Sequence, residues 1–266
     1  MSNPIEIFVV TLLATFVGAV AGTLAAQRAA ERNHNKRELI SRISKLNLAI
    51  SHAFSITNHF ISIKRQFIIP IHEELQINKS KYYLTKFGYE AENTIHANFK
   101  KMPIASQDCE FLYELCKEIS DINPKAINAA ISLTESWLSL DSIRKAREKI
   151  IDRFGSGEFD SDEMAKIQMY LGIKDNQNSF STEYPDSVNG MLEACDACIY
   201  FSKKFGNSLE IIRDTDVRDA WYYFRYVAKT KPKADFSNAL QWLPKEEDFE
   251  DWNKGFSTNK GRDKKS

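Results

Sequence analysis

The sequence has little glycine and proline, with 10 and 7 of them in 266 residues. Because turn-rich sheet proteins need both residue types at their many turns, this scarcity favours long, regular helices. The chain also carries no net charge, since 36 Lys and Arg residues balance 36 Asp and Glu residues. This balance argues against a protein that binds nucleic acid through bulk positive charge, so we expect no nucleic-acid partner.

Cysteine is scarce as well, and four cysteines exclude a small secreted scaffold that is held together by disulfides. Two of them form the motif Cys195-Asp-Ala-Cys198, which can be a redox pair or half of a metal site. The motif lies within an apolar helical pattern, so we interpret its cysteines as small buried hydrophobes. The hydrophobic content of 43 % is sufficient for a core and excludes a wholly disordered chain.

One uncharged apolar run extends from Ile7 to Ala26. A helix of about 20 residues is about 30 Å long, which matches the hydrocarbon core of a bilayer. The segment before the run has no Lys or Arg, and the run is longer than a usual signal-peptide core, which favours an uncleaved anchor over a cleaved signal. Basic residues follow it, and segments rich in Lys and Arg stay in the cytoplasm. The sequence therefore predicts a single-pass protein of the cell (inner or plasma) membrane, with its C-terminal body in the cytoplasm. The basic residues are Arg28, Arg32, Lys36, Arg37, Arg42 and Lys45.

Small residues recur every four positions within this run, at Ala14, Gly18, Gly22 and Ala26. They share one face of a helix, and Gly18-Ala-Val-Ala-Gly22 is a GxxxG motif, which lets two membrane helices approach closely. The face predicts self-association into a homo-oligomer. The alternative is that small residues are simply common in membrane helices.

The remainder of the chain has the periodicity of a mostly α-helical, bundle-like cytoplasmic domain. We expect three parts: a transmembrane anchor over residues 1–27, a helical domain over 28–244 with a possible subdivision at 174–185, and a charged tail over 245–266. The polar residues around Lys174 to Pro185 indicate a hinge loop.

Several helix boundaries follow from local signals. An apolar stripe predicts a long helix from about Leu39, which Pro70 should kink or end because proline lacks an amide donor. Asn123 and Pro124 are typical of an N-cap followed by the first helical residue. We also expect Gly206 to end the helix that contains the two-cysteine motif.

Oxygen-bearing side chains are spaced through an acidic segment after the Asn123 helix, at Asp152, Ser156, Glu158, Asp160 and Glu163. With Gly157 at the sharp turn, the segment resembles the twelve-residue calcium loop of EF-hand proteins. The resemblance implies that these five residues are the metal ligands and that calcium is the cofactor. Phe154 stands where the family has a further oxygen ligand. The alternative is a turn between helices whose small and acidic residues are helix caps.

Two aromatic segments lie near the C-terminus. We interpret Trp221 to Tyr226 as core packing. The acidic segment from Glu246 to Trp252 has two interpretations, because its aromatic residues either fold back onto the protein or remain exposed as a docking peptide for a basic partner.

The sequence contains no phosphate-binding glycine loop, no nucleophile elbow and no other catalytic motif, so we do not expect an enzyme. The lone anchor and the long amphipathic helix favour a membrane-anchored interaction or regulatory module, in contact with the lipid bilayer, that recruits or senses an unknown cytoplasmic protein partner. Two alternatives stay open: a membrane-perturbing effector assembled from one-span subunits, and a calcium-responsive switch that uses residues 152–163.

Overall fold

A computed structural model of the protein describes residues 4–88, 95, 97, 99–103, 109–119, 122–156, 163–173, 181–228 and 231–255. This part of the chain is helical and contains no strand, so the predicted all-α fold is confirmed. The α-helices are α1 (Pro4–Ile63), α2 (Ile69–Lys86), α3 (Cys109–Glu118), α4 (Pro124–Gly155), α5 (Glu163–Leu171), α6 (Glu183–Phe224) and α7 (Glu250–Lys254). A π-helical turn, Lys64–Ile68, joins α1 to α2, and two 3₁₀ turns, Ser237–Trp242 and Glu246–Phe249, precede α7.

The chain divides into two compact units. The first unit contains Met1–Asn47 and Ile211–Lys231, and the second contains Leu48–Glu210 and Pro232–Ser266. The predicted subdivision at 174–185 falls largely on residues 174–180, which lie outside the described residues, so it stays a prediction.

In the first unit, α1 begins with the apolar run. The large apolar side chains of this stretch that the structure describes are 44–68 % exposed. Near the N-terminus the helix is long and apolar enough to cross a membrane, which makes it a candidate span on length and composition. Further along α1, Ile43 packs against Val217 and Ala220 of α6, where all three side chains are buried.

In the second unit, α1 and α6 pack with opposite directions. Thr57 of α1 and Ser202 of α6 share a buried hydrogen bond of 2.8 Å between their hydroxyl groups. Farther along α1, the Cys195 thiol of α6 donates a hydrogen bond to the carbonyl of Phe60. Later residues of α1 therefore contact earlier residues of α6, as in antiparallel helices.

Pro70 does not break the helical path. It lies at the start of α2, directly after the π-helical turn Lys64–Ile68. Proline cannot donate a hydrogen bond to the carbonyl four residues earlier, and its ring crowds that carbonyl. A wider π-type turn is a known way for a helix to accommodate such a defect. The perturbation that the sequence predicts at Pro70 thus takes the form of a local π-turn.

The predicted start of α4 is confirmed. The Asn123 side-chain oxygen accepts a hydrogen bond from the backbone amide of Lys125 at 2.8 Å, and Pro124 is the first helical residue. The helix ends at Gly155.

The prediction that Gly206 ends a helix is wrong, because α6 continues through it to Phe224. The reason for a glycine here is close packing. A Cβ atom built on Gly206 would lie 2.7 Å from Cε1 and 3.0 Å from Cζ of Phe54. The ring of Phe54 is itself buried and makes an edge contact with Phe236, so it has little room to move.

We expect Gly206→Ala to lower the free energy of unfolding by about 1–3 kcal/mol, because the added methyl overpacks the contact with Phe54. Chemical denaturation of the full-length protein in mild detergent, followed by tryptophan fluorescence, measures the change.

Gly155→Ala is the matched control, since an added Cβ there meets nothing within 4 Å. It should change stability by less than about 1 kcal/mol. Adding Phe54→Leu to Gly206→Ala should recover part of the loss. Equal losses in the two alanine variants would contradict the packing explanation.

Candidate functional surfaces

The small-residue face of α1 is uncovered. Ala14, Gly18, Gly22 and Ala26 are all exposed. A Cβ built on Gly18 or Gly22 would meet no atom within 4 Å. The face is thus open to lipid or to a second helix, and self-association through it stays a prediction.

The calcium-loop residues are only partly placed, because Glu158 and Asp160 lie outside the described residues. The Asp152 carboxylate pairs with the Lys101 ammonium group at 2.8 Å, and this hydrogen bond raises the pKa of Lys101. The Ser156 hydroxyl donates to the carbonyl of Arg153 at 2.9 Å. Glu163 lies in the first turn of α5. Asp152 is thus paired with a cation from another segment, and Ser156 caps the end of α4. Calcium binding by this loop stays a prediction.

The Cys195–Cys198 motif is part of the core. All four cysteines are free thiols and buried. Burial raises the pKa of both Cys195 and Cys198, and the neighbouring thiol of Cys109 adds to the shift at Cys198. A thiol that resists ionisation is a poor nucleophile and a poor metal ligand. Among the described residues, no three His, Cys, Asp or Glu side chains are grouped so that they could hold a metal ion.

A partly buried ion pair attaches the C-terminal segment, residues 236–254, to the rest of the second unit. The Lys64 ammonium group binds the Asp196 carboxylate at 2.5 Å and donates to the carbonyl of Trp242 at 3.1 Å. Burial raises the pKa of Asp196, and the bond to Lys64 opposes this shift. The ammonium group thus joins the π-helical turn to α6 and to the C-terminal segment.

Aromatic packing holds the rest of this segment against α6. The ring of Phe249 stacks on Tyr200 with 4.0 Å between the ring centroids, and Trp252 packs edge-on against Phe201 at 5.3 Å. Of the two interpretations of the acidic segment, the aromatic residues therefore fold back onto the protein.

The carboxylate of Glu246 accepts hydrogen bonds from the Tyr200 hydroxyl at 3.0 Å and from the Lys204 ammonium group at 3.1 Å. Burial disfavours its charge, but these bonds outweigh burial and keep the pKa of Glu246 below its ordinary value. A pocket of about 280 Å³ lies beside it. Lys203 and Lys245 line this pocket together with Lys204 and Glu246.

The end of α6 differs from the sequence-based interpretation. Trp221, Tyr222 and Tyr223 are 52 %, 66 % and 60 % exposed, so their assignment to the core is wrong. A helix of 42 residues presents several faces, and here Ala220 faces the core while its aromatic neighbours do not. Sequence periodicity marked the aromatic cluster but could not show which residues the rest of the unit covers.

Two arginines of α1 hold this end of α6 within the first unit. The Arg42 guanidinium pairs with the Asp216 carboxylate at 2.9 Å. Burial raises the pKa of Asp216, and the charge of Arg42 opposes this shift. The Arg32 guanidinium donates to the backbone carbonyl of Tyr223 at 3.1 Å.

Comparison of the chain with protein-family models, with curated proteins and with solved structures finds no match.

We expect the cysteines of the folded protein to resist alkylation at pH 8. Burial raises the pKa of Cys116 to about 11, and the thiols of the two-cysteine motif are fully buried. Iodoacetamide should modify the native protein at least about 100-fold more slowly than the denatured protein, since each pKa unit reduces the thiolate fraction about tenfold. Mass spectrometry of the modified peptides measures the rate at each cysteine.

The same shift at Cys116 makes stability depend on pH. Its contribution is complete below the ordinary thiol pKa of about 8.5. It is lost as the pH rises through about 11.

Rapid alkylation of Cys195 or Cys198 in the native protein at pH 8 would contradict their burial and restore the redox interpretation.

Proposed function

We propose that the chain is a single-pass membrane protein whose helical body recruits or senses a cytoplasmic protein partner, and that it self-associates through the small-residue face of its membrane helix. The observation that carries the proposal is the uncovered apolar start of α1. Its large apolar side chains, such as Phe8, Phe16 and Leu24, are exposed to about half or more of their surface. Burying them in lipid removes an apolar surface that water would otherwise contact.

The direction of insertion is supported by charge. The exposed residues Arg28, Arg32 and Arg37 and the half-buried Lys36 follow the apolar run, and the described part of the helix before Ala26 has no basic residue. Basic residues stay on the cytoplasmic side of a membrane helix. The proposal therefore places the helical body in the cytoplasm.

A second exposed apolar face supports the role in recruitment. Ile77 and Leu84, in the second half of α2, are 55 % and 47 % exposed, and Phe87, directly after the helix, is 73 % exposed. Ile77 and Leu84 lie seven residues apart, and the spacing of Phe87 keeps it near the same side of the helix. Exposed apolar groups on one helix face are typical of a protein–protein interaction site. We call this set the α2 face.

We expect Gly18→Ile/Gly22→Ile to weaken self-association in a bilayer by about tenfold or more, which corresponds to about 1.4 kcal/mol. Isoleucine side chains at both positions keep two helix backbones apart. Energy transfer between labelled copies, measured in liposomes over a range of protein-to-lipid ratios, gives the dimerisation constant.

Val20→Ile is the matched control, because Val20 lies on the opposite side of the helix from this face. It should leave the constant unchanged. Unchanged energy transfer in the double variant would exclude self-association through this face but would leave the anchor intact.

We expect Ile77→Glu and Leu84→Glu to abolish stoichiometric capture of the cytoplasmic partner, because a charge on the α2 face cannot be buried in an apolar interface without a large desolvation cost. Affinity capture of the full-length protein from its own cells in mild detergent, with quantification of the co-purified proteins, provides the measurement.

Gln76→Glu and Thr85→Glu add the same charge beside the α2 face at exposed polar positions and should keep the partner. Circular dichroism checks that all four variants keep their helical content. A partner retained by the Ile77 and Leu84 variants would overturn the assignment of the α2 face.

A further inference from the structure

The end of α6 points along α1 towards the apolar run. In the first unit, Asp216 lies beside Arg42, and four residues later Ala220 shares a buried cluster with Ile43. The carbonyl of Tyr223 then meets Arg32. Between Asp216 and Tyr223 on α6, the neighbouring residue on α1 changes from Arg42 to Arg32, which is closer to the N-terminus. The last turn of α6 is therefore the part of this helix nearest to the apolar run.

The level of this turn along α1 follows from helix geometry. Arg32 comes six residues after Ala26, where the apolar run ends. At 1.5 Å per residue, this separation is about 9 Å. Side chains of a helix slant towards its N-terminus, so the Arg32 guanidinium lies closer to the apolar run than its backbone does. The headgroup region adds about 5–8 Å to each side of the hydrocarbon core, so the turn lies at its outer part.

The side chains at this turn have the chemistry of the headgroup layer. The exposed side chains of Trp221, Tyr222 and Tyr223 each combine an apolar ring with a hydrogen-bonding group. Trp and Tyr are enriched where hydrocarbon meets water, because the ring and the polar group then both have suitable surroundings.

The backbone turn at Arg225 places a positively charged side chain at this surface. Arg225 has a φ of 56°, in the left-handed region that residues other than glycine rarely adopt. Its amide donates to the carbonyl of Trp221 at 2.9 Å, which ends the helix, and its guanidinium lies over the Trp221 ring at 5.1 Å. An exposed guanidinium beside exposed aromatic rings suits a phosphate group, with which it forms two parallel hydrogen bonds.

We infer that Trp221, Tyr222, Tyr223 and Arg225 form a second membrane contact, which binds the phospholipid headgroup layer of the membrane that α1 spans. The inference rests on the proposed anchor, and it explains why four such side chains stay uncovered at this turn. The rings enter the headgroup layer and the guanidinium binds lipid phosphate. This contact holds the end of α6 at the membrane surface.

The test uses the full-length protein in liposomes of phosphatidylcholine and phosphatidylglycerol. In one preparation some lipids carry a nitroxide on the headgroup, and in another they carry it deep in the acyl chain. Nitroxides quench tryptophan fluorescence at short range, so the two labels report depth. Resistance to alkaline extraction, measured on the same vesicles, reports whether α1 is inserted.

We expect inserted protein whose emission is quenched more strongly by the headgroup label than by the deep label, and loss of the headgroup quenching in Trp221→Phe. Trp252→Phe is the matched control. The Trp252 ring packs against Phe201 in the second unit, and its removal should leave the headgroup quenching unchanged.

Inserted protein that shows the same headgroup quenching with and without Trp221 would overturn the inference and leave the anchor standing. Protein that alkaline solution extracts would overturn the anchor and the second contact together. Arg225→Gln, made in the protein that keeps Trp221, tests the phosphate contact. It should reduce the difference in headgroup quenching between liposomes that contain phosphatidylglycerol and liposomes of phosphatidylcholine alone.

Discussion

The close packing of α1 against α6 is the interaction on which the second unit depends. At Gly206 the two helices approach so closely that the ring of Phe54 occupies the place of a side chain. Near this contact, the hydroxyl groups of Thr57 and Ser202 share a hydrogen bond away from water. Such a buried polar pair has a defined geometry, so it specifies the register of the helices as well as contributing to stability. Apolar packing alone would tolerate small shifts along the helix axes more readily.

The ion pair of Lys64 and Asp196 fixes the position of the C-terminal segment relative to these two helices. Removing both charges from water is costly, and the pair offsets this cost because the ammonium group also binds the carbonyl of Trp242. The stacking of Phe249 on Tyr200 then buries apolar surface that would otherwise be exposed. A segment that is acidic in composition is thus retained by one buried cation and by aromatic contacts, while its acidic side chains Glu247 and Asp248 remain in water.

The surfaces that remain uncovered support the proposed function. The start of α1, the α2 face and the end of α6 all expose large apolar side chains. Each has a different chemical character: a long aliphatic and aromatic run, a short helical patch, and rings combined with a guanidinium group. Lipid hydrocarbon, an apolar protein surface and lipid headgroups are the surroundings that match these three characters.

Local interactions were readable in the sequence, and long-range ones were not. The all-α fold, the candidate span and the N-cap at Asn123 follow from hydrophobic periodicity and capping chemistry, which act over a few neighbouring residues. Tertiary structure decided the role of Gly206, because this glycine makes room for the ring of Phe54, which is distant in sequence. It also decided that the rings of Phe249 and Trp252 pack against α6 and that those of Trp221 to Tyr223 stay exposed. Burial of a ring depends on which helix lies opposite it. That neighbour is distant in sequence, and only folding brings it close.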